Sequence, residues 1–198
     1  MGNVGYYNQN SEQFVQTTLN VNMESLYQAF LVLLPNGGHI LDLGCGSGRD
    51  TLAFRNKGYQ VEALDYSEAL VEKATALTGI PVRYQSFYDL NDHGIYDGIW
   101  ACASLLHCER DRLTDVMQSI LNALKVNGIL YMSFKYGDKD RETDGRKFTD
   151  LNEEQAEELL NQFHQIELIK HWITIDQRPD RKEKWLNILI KKNGRIQT

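Results

Sequence analysis

The chain has 198 residues, 42% of them hydrophobic, and a formal net charge of −6, which is enough for one domain with a full core. Its acidity, with no Lys/Arg block, argues against a nucleic-acid groove and an anionic membrane surface. Cys45, Cys102 and Cys108 lack the spacing of a disulfide framework or a metal site and point to a reducing cytoplasm, and no apolar run reaches transmembrane length.

Residues 1–34 read as a helical N-terminal extension. Phe14, Val15, Thr18 and Leu19 predict a short helix, and Leu26, Phe30, Leu33 and Leu34 share one face of a second. Tyr6 and Tyr7 open this segment, which is expected to cover a cleft as a lid or to fray as a terminus. Pro35-Asn36-Gly37-Gly38 turns the chain into a first strand, about His39 to Leu43. A helix follows Gly48 and stops at the capping Gly58. The second strand, Tyr59 to Leu64, ends at Asp65, and Ser67 caps a helix from Glu68 to about Thr78.

Val82-Arg83-Tyr84 is a short third strand, followed by a loop with Phe87 to Leu90. Asp97 to Ala101 is the fourth, and a helix from about Arg110 to Lys125 ends at Asn127-Gly128. Ile129 to Phe134 is the fifth. A long polar loop is expected from Lys135 to Thr149, then a helix near Glu153 to Gln162. Two strands close the chain, about Ile166 to Ile175 and Trp185 to Ile190, joined by Gln177 to Arg181. That last connection is too short for a helical crossover, so the pair is an antiparallel hairpin. The expected fold is α/β: a Rossmann-like doubly wound, mostly parallel seven-stranded sheet with an antiparallel C-terminal hairpin, one domain over residues 1–198.

The stretch Ile40 to Asp50 organises the reading. An apolar strand runs into glycines at alternate positions, and a helix begins at once, so the turn is expected to offer free N–H groups and a positive helix end. The dinucleotide fingerprint G-x-G-x-x-G fails, because its third glycine falls on Arg49. The pattern present, Asp42-x-Gly44-x-Gly46-x-Gly48, resembles the first motif of class I S-adenosylmethionine-dependent methyltransferases. That resemblance implies Asp42 beside the cofactor's methionine part, with Gly44, Cys45 and Gly46 passing under it. The strand layout is similar to the same family's.

Ligands of such sheets sit at the carboxyl ends of the strands. Asp65, about 20 residues past the glycines, suits a pair of ribose hydroxyls. Tyr66 either packs on adenine or is a surface tyrosine. By the resemblance, Ser86 and Phe87 hold the adenine, although the acidic residue usual there is absent and Asp89 is nearest. Ala101 and Cys102 follow the fourth strand, where the methionine part would pass. Cys45 and Cys102 read as small packing residues.

Further on, Ala101-Cys102-Ala103-Ser104-Leu105-Leu106-His107 resembles the post-strand motif of small-molecule methyltransferases of the tellurite-resistance type. Ser133 to Gly137, Gly145-Arg146-x-Phe148, Asp176-x-Arg178-Pro179 and Trp185-Leu186-Asn187 are similar to segments of related bacterial proteins. His107 is the candidate base, or else a capping or part-buried histidine. Lys135, Arg146 and Arg178 together suit an oxyanion or carboxylate substrate, and Tyr7 and Arg49 are further substrate-side candidates. The resulting expectation is a cytoplasmic methyltransferase, monomer or homodimer, that uses S-adenosylmethionine, releases S-adenosylhomocysteine and methylates a small molecule. Its rivals are a catalytically silent module binding the same cofactor and a nicotinamide-dependent oxidoreductase. Binding without turnover distinguishes the first rival, and NAD binding the second.

Overall fold

The computed structural model describes residues 2–178 and 181–194. Its elements in order are α1 (Asn3–Thr18), α2 (Glu24–Leu31), β1 (His39–Leu43), α3 (Arg49–Asn56), β2 (Gln60–Asp65), α4 (Glu68–Thr78), β3 (Arg83–Tyr84), β4 (Tyr96–Ala101), α5 (Leu113–Ala123), β5 (Leu124–Lys135), β6 (Asp140–Thr143), β7 (Arg146–Thr149), α6 (Glu153–Leu160), β8 (Ile166–Ile175) and β9 (Lys184–Lys192). Seven strands form one sheet in the order β3-β2-β1-β4-β5-β9-β8. The first five run parallel, and β9 lies antiparallel between β5 and β8. The expected sheet is therefore present, with its switch point between β1 and β4, where ligands of open α/β sheets bind.

Strand alternation sorts the core onto two faces. Leu41, Ile99, Leu130 and Met132 pack with α5 and α6 on one. Ile40, Trp100, Ile129 and Tyr131 pack with Tyr27, Phe30 and Phe54 on the other. Phe30 and Leu34 of the N-terminal segment are buried, so α2 is part of the core and only α1 is left as a cover. Leu33, expected on the same face, points outward, because α2 ends at Leu31 and Tyr27 takes the inward position.

Two further expectations are corrected. The polar stretch after β5 is not a loop: β6 and β7 pair as a hairpin around Asp144-Gly145, whose φ angles of 54° and 73° suit a type I′ turn. The fifth strand starts at Leu124, directly after α5, because Leu124 pairs with Tyr96 before the register jumps to Gly98–Ile129. Asn127 takes a left-handed φ of 67° in that bulge instead of capping the helix. Pro179 and Asp180, in the expected connection between the last strands, lie outside the described residues. Among the described residues no helix is long and apolar enough to cross a membrane.

Gly98 decides how closely α2 approaches the sheet. A Cβ there would lie 2.7 Å from Phe30 Cζ and 2.8 Å from Leu34 Cδ1. Gly98→Ala should therefore cost about 1–3 kcal/mol of stability through overpacking, read from urea unfolding. Adding Phe30→Leu should recover part of that loss, and additive losses in the double variant would refute the contact.

Candidate active site

The turn after β1 is closed by its own hydrogen bonds. The N–H groups of Gly44 and Cys45 both donate to the Leu64 carbonyl at 2.9 Å, and Gly48 N–H donates to Cys45 O at 2.9 Å. Gly46 N–H donates to Asp65 Oδ2 at 2.9 Å. The expectation of free donors for an anion is thus corrected: four N–H groups of the turn already have acceptors. Glycine is required here for space. Gly44 has φ +79°, and a Cβ on it would lie 2.5 Å from Ser104 Cβ. A Cβ on Gly46 would meet the Phe14 ring of α1 at 3.0 Å.

Beneath the turn lies a second group of carboxylates. Asp42 is 2% exposed, accepts from Thr51 Oγ1 at 2.6 Å, and does not reach the cleft wall. Burial and the nearby Asp50 charge push its carboxyl up to about 8. Asp50, not singled out in the sequence, accepts from Tyr27 Oη (2.5 Å), Trp100 Nε1 (2.8 Å), and Arg49 Nε and Nη2 (2.6 and 3.0 Å). Burial opposes its charge, but Arg49 and these bonds hold it below the usual carboxylate range. Arg49, expected on the substrate side, lines the cleft with its charge committed to Asp50 and a further bond to Thr18 O at 3.2 Å.

A cleft of about 500 Å³ runs along the strand ends, within the usual range for ligand pockets. At one end are Asp65, Tyr66, Ser86 and Phe87. Asp65 accepts from the Gly46 and Ser67 N–H groups, one on each oxygen, which leaves lone pairs on both for a ligand. Burial raises its carboxyl. Tyr66 is 48% exposed and stacks on Tyr84, with ring centres 5.3 Å apart. The Ser86 hydroxyl accepts from Tyr88 N–H at 3.2 Å and caps the short turn that carries Phe87. Ala101 is fully buried in the α5-side core, off the wall. Cys102 and Ala103 line the cleft in its place. Cys45 also lines it; burial raises its thiol and pushes that of Cys102 up to about 12, so neither is an activated nucleophile.

The other end is assembled from distant elements. His107 Nδ1 faces the Lys147 carbonyl at 2.9 Å, an acceptor only, so Nδ1 carries the proton. Nε2 then accepts from Tyr7 Oη at 2.8 Å. Burial first, then the charges of Arg146 and Lys135, lowers His107 to about 4, so the ring is neutral at neutral pH. Burial likewise raises the Tyr7 hydroxyl. Lys135, Arg146 and Arg178 all line this end. Arg178 is paired on two points with Asp176, at 2.9 and 2.5 Å.

Helix α1 spans both ends. Asn3 exchanges hydrogen bonds with the Lys147 backbone at 2.7 and 3.4 Å, and Asn8 Oδ1 accepts from Ser67 Oγ at 2.7 Å. Thr18 Oγ1 donates to Phe14 O at 2.7 Å and lies 3.4 Å from Ser47 Oγ. The sequence reading missed Asn3, Asn8 and Asp50. Asp50 carried one signal, its place in the first turn of a helix, which does not distinguish a core carboxylate from a capping one.

Residues 40–128 match the family model described as a methyltransferase domain. An uncharacterized methyltransferase of Staphylococcus carnosus is 24% identical over 163 residues, covering 78% of this chain and 79% of that protein. A ubiquinone biosynthesis O-methyltransferase of Xanthomonas campestris is 32% identical over 114 residues, covering 54% of this chain and 46% of that protein, so the chain spans less than half of this relative. The crystal structure of Burkholderia thailandensis 1,6-didemethyltoxoflavin-N1-methyltransferase, with 1,6-didemethyltoxoflavin and S-adenosylhomocysteine bound, has the same fold at a TM-score of 0.77 and 21% identity, over 96% of this chain and 85% of that one. Residues 40–128 therefore match a methyltransferase domain, and the whole chain shares the fold of a methyltransferase that binds S-adenosylhomocysteine.

Proposed function

We propose that this chain, acting as one domain, transfers a methyl group from S-adenosylmethionine to a small-molecule acceptor. One observation carries the reading: the cleft that begins at Asp65 and the glycine turn continues directly to a second wall of Tyr7, His107, Lys135 and Arg146. A donor and an acceptor can lie end to end in such a cleft. The acidity of the chain and the cover of α1 favour a small acceptor over nucleic acid. The relatives named above, a ubiquinone-pathway and a didemethyltoxoflavin methyltransferase by name, agree with that class. The segment Ala101–His107, which resembles the tellurite-resistance type, supplies Cys102, Ala103, Ser104, Leu106 and His107 to the cleft, and on that resemblance we place the chain in that subgroup without fixing the substrate. Three free cysteines support a cytoplasmic setting, where we expect a monomer or homodimer.

When bound, the cofactor supplies an electrophilic methyl group on a sulfonium. The chain's residues hold, align and dehydrate. Asp65 accepts the ribose hydroxyls, with Tyr66, Ser86 and Phe87 around the adenine. Gly44, Cys45 and Gly46 form the floor, and Asp42 positions α3 through Thr51. Holding the acceptor in line supplies about 7–11 kcal/mol of the barrier. His107 and Tyr7 face the acceptor as a neutral hydrogen-bonded pair. A ring with so low a pKa is a weak base, so this pair orients an acceptor better than it deprotonates one.

Calorimetric titration with S-adenosylmethionine, S-adenosylhomocysteine and NAD tests the reading, followed by an acceptor screen with a radiolabelled methyl group. The first two should bind and NAD should not; binding without turnover on any acceptor would favour a silent module. Asp65→Ala should weaken S-adenosylhomocysteine binding by about 1.5–3 kcal/mol, the range for hydrogen bonds to a charged group, and unchanged affinity would remove its ribose role. The pH–rate profile should lack an inflection near the ordinary histidine value of about 6.5. The part of the profile due to His107 should appear only as pH drops toward about 4, where the imidazolium forms and Nε2 no longer accepts from Tyr7. An inflection near 6.5 that His107→Asn abolishes would contradict the neutral-pair role.

A further inference from the structure

The two ends of the cleft differ in charge. Around the glycine turn, Arg49 matches Asp50, burial keeps Asp42 protonated and off the wall, and Asp65 is the carboxylate left facing the cleft. At the far end, Lys135, Arg146, Arg178 and Arg181 face Asp176 and Glu183. Arg178 is matched by Asp176. Lys135 and Arg181 share Glu183, at 3.4 and 3.8 Å. Burial holds the Lys135 ammonium below its usual range, and the charges of Arg141 and Arg178 add to that effect.

Arg146 is weakly paired with carboxylate, although its guanidinium also reaches the Tyr7 hydroxyl. Its ion pair with Asp144 is long, 3.5 Å, and the Asp144 side chain is 68% exposed, so water screens it. Its Nε is buried and has no hydrogen-bond partner. A guanidinium N–H left unpaired away from water is costly, and its fork geometry matches a carboxylate on two points. Aromatic faces surround it. Arg146 Cζ lies 4.0 Å from the Tyr6 ring centre and 5.2 Å from that of Phe148. Lys135 Nζ is 5.0 Å from the Phe148 ring centre and 5.9 Å from that of Trp185.

We propose that the acceptor is a flat aromatic molecule bearing a carboxylate, and that Arg146 is the residue that holds the carboxylate. The inference rests on the methyl-transfer reading and deepens it by naming the substrate class. A carboxylate in the cleft pairs with the exposed part of the Arg146 guanidinium, whose charge the long, screened contact with Asp144 leaves weakly matched. An aromatic ring can pack against the part-exposed Tyr6 and Trp185 on the cleft wall, a contact that a bare inorganic oxyanion does not make. The cleft also suits the pair: Asp65 lies at the donor's end and Lys135, Arg146 and Arg178 at the acceptor's, so a cationic donor and an anionic acceptor each meet an opposite charge.

The test uses the full chain saturated with S-adenosylhomocysteine, so that cofactor binding is measured first and separately. Benzoate, salicylate and anthranilate are titrated calorimetrically, with benzamide as the neutral counterpart and selenite as the inorganic oxyanion. At least one aromatic carboxylate should bind, and benzamide and selenite should bind at least about tenfold more weakly. Arg146→Gln should weaken the carboxylate about tenfold or more while leaving S-adenosylhomocysteine affinity unchanged, and Arg146→Lys, which keeps the charge but loses the fork, should fall between. The proposal is overturned if none of the three carboxylates binds, if benzamide matches them, if selenite binds more tightly than all of them, or if Arg146→Gln keeps full affinity. Failure of S-adenosylhomocysteine itself to bind would instead overturn the methyl-transfer reading, and this inference with it.

Discussion

The buried carboxylate of Asp50 joins four elements at one point. Tyr27 reaches it from α2, Trp100 from β4 and Arg49 from the start of α3, and the other side of the Arg49 guanidinium holds the last turn of α1 through Thr18 O. A charge this deep is tolerated only because its lone pairs are filled; removing one donor leaves an unpaired charge in a dry interior. The arrangement fixes the first helical turn after the glycines and, from the same group, the end of the helix that lies over them. The shape of the cleft at the cofactor end follows from that node.

The glycine turn shows why similar-looking motifs serve different ligands. A turn that cradles a pyrophosphate presents N–H groups to it. Here Gly44, Cys45, Gly46 and Gly48 spend theirs on Leu64, Asp65 and Cys45, and carboxylates lie beneath and beside the turn. Such a surface repels phosphate and accommodates a neutral or cationic group. The glycines are needed so that Ser104 and Phe14 can come close, a packing requirement rather than an electrostatic one.

Much of this was legible in the chain. The alternation of apolar strands with helical periods gave the parallel sheet, and the short final connection gave the antiparallel pair. Asp-x-Gly-x-Gly-x-Gly and Asp65 do come together at one end of the cleft. Side-chain direction was harder. Asp42 shares strand parity with Ile40, which turns it under α3, and Ala101 shares parity with Ile99, which turns it into the α5-side core. The β6–β7 hairpin carried a readable signal, Asp144-Gly145, submerged in a polar stretch without apolar alternation. The contact of Tyr7 with His107 spans 100 positions and leaves no local trace. Arg49 and Arg178 read as available cations, yet each has a carboxylate within two residues, Asp50 and Asp176, that takes up its charge.

The β6–β7 hairpin pairs with no strand of the main sheet, yet it brings Arg146 and Phe148 to the cleft. On the proposed reading, acceptor recognition is thus partly separated from the scaffold around the glycine turn. Substitutions at distant positions without shared partners combine nearly additively, and surface connections tolerate change better than the elements they join. Side chains such as Arg146 can therefore change while the glycine turn and Asp50 node stay constant, whereas Phe148, Thr149 and the Lys147 backbone are tied to the rest of the fold. Descendants of one cofactor-binding core can in this way come to discriminate between different acceptors by rewriting a single short excursion of the chain.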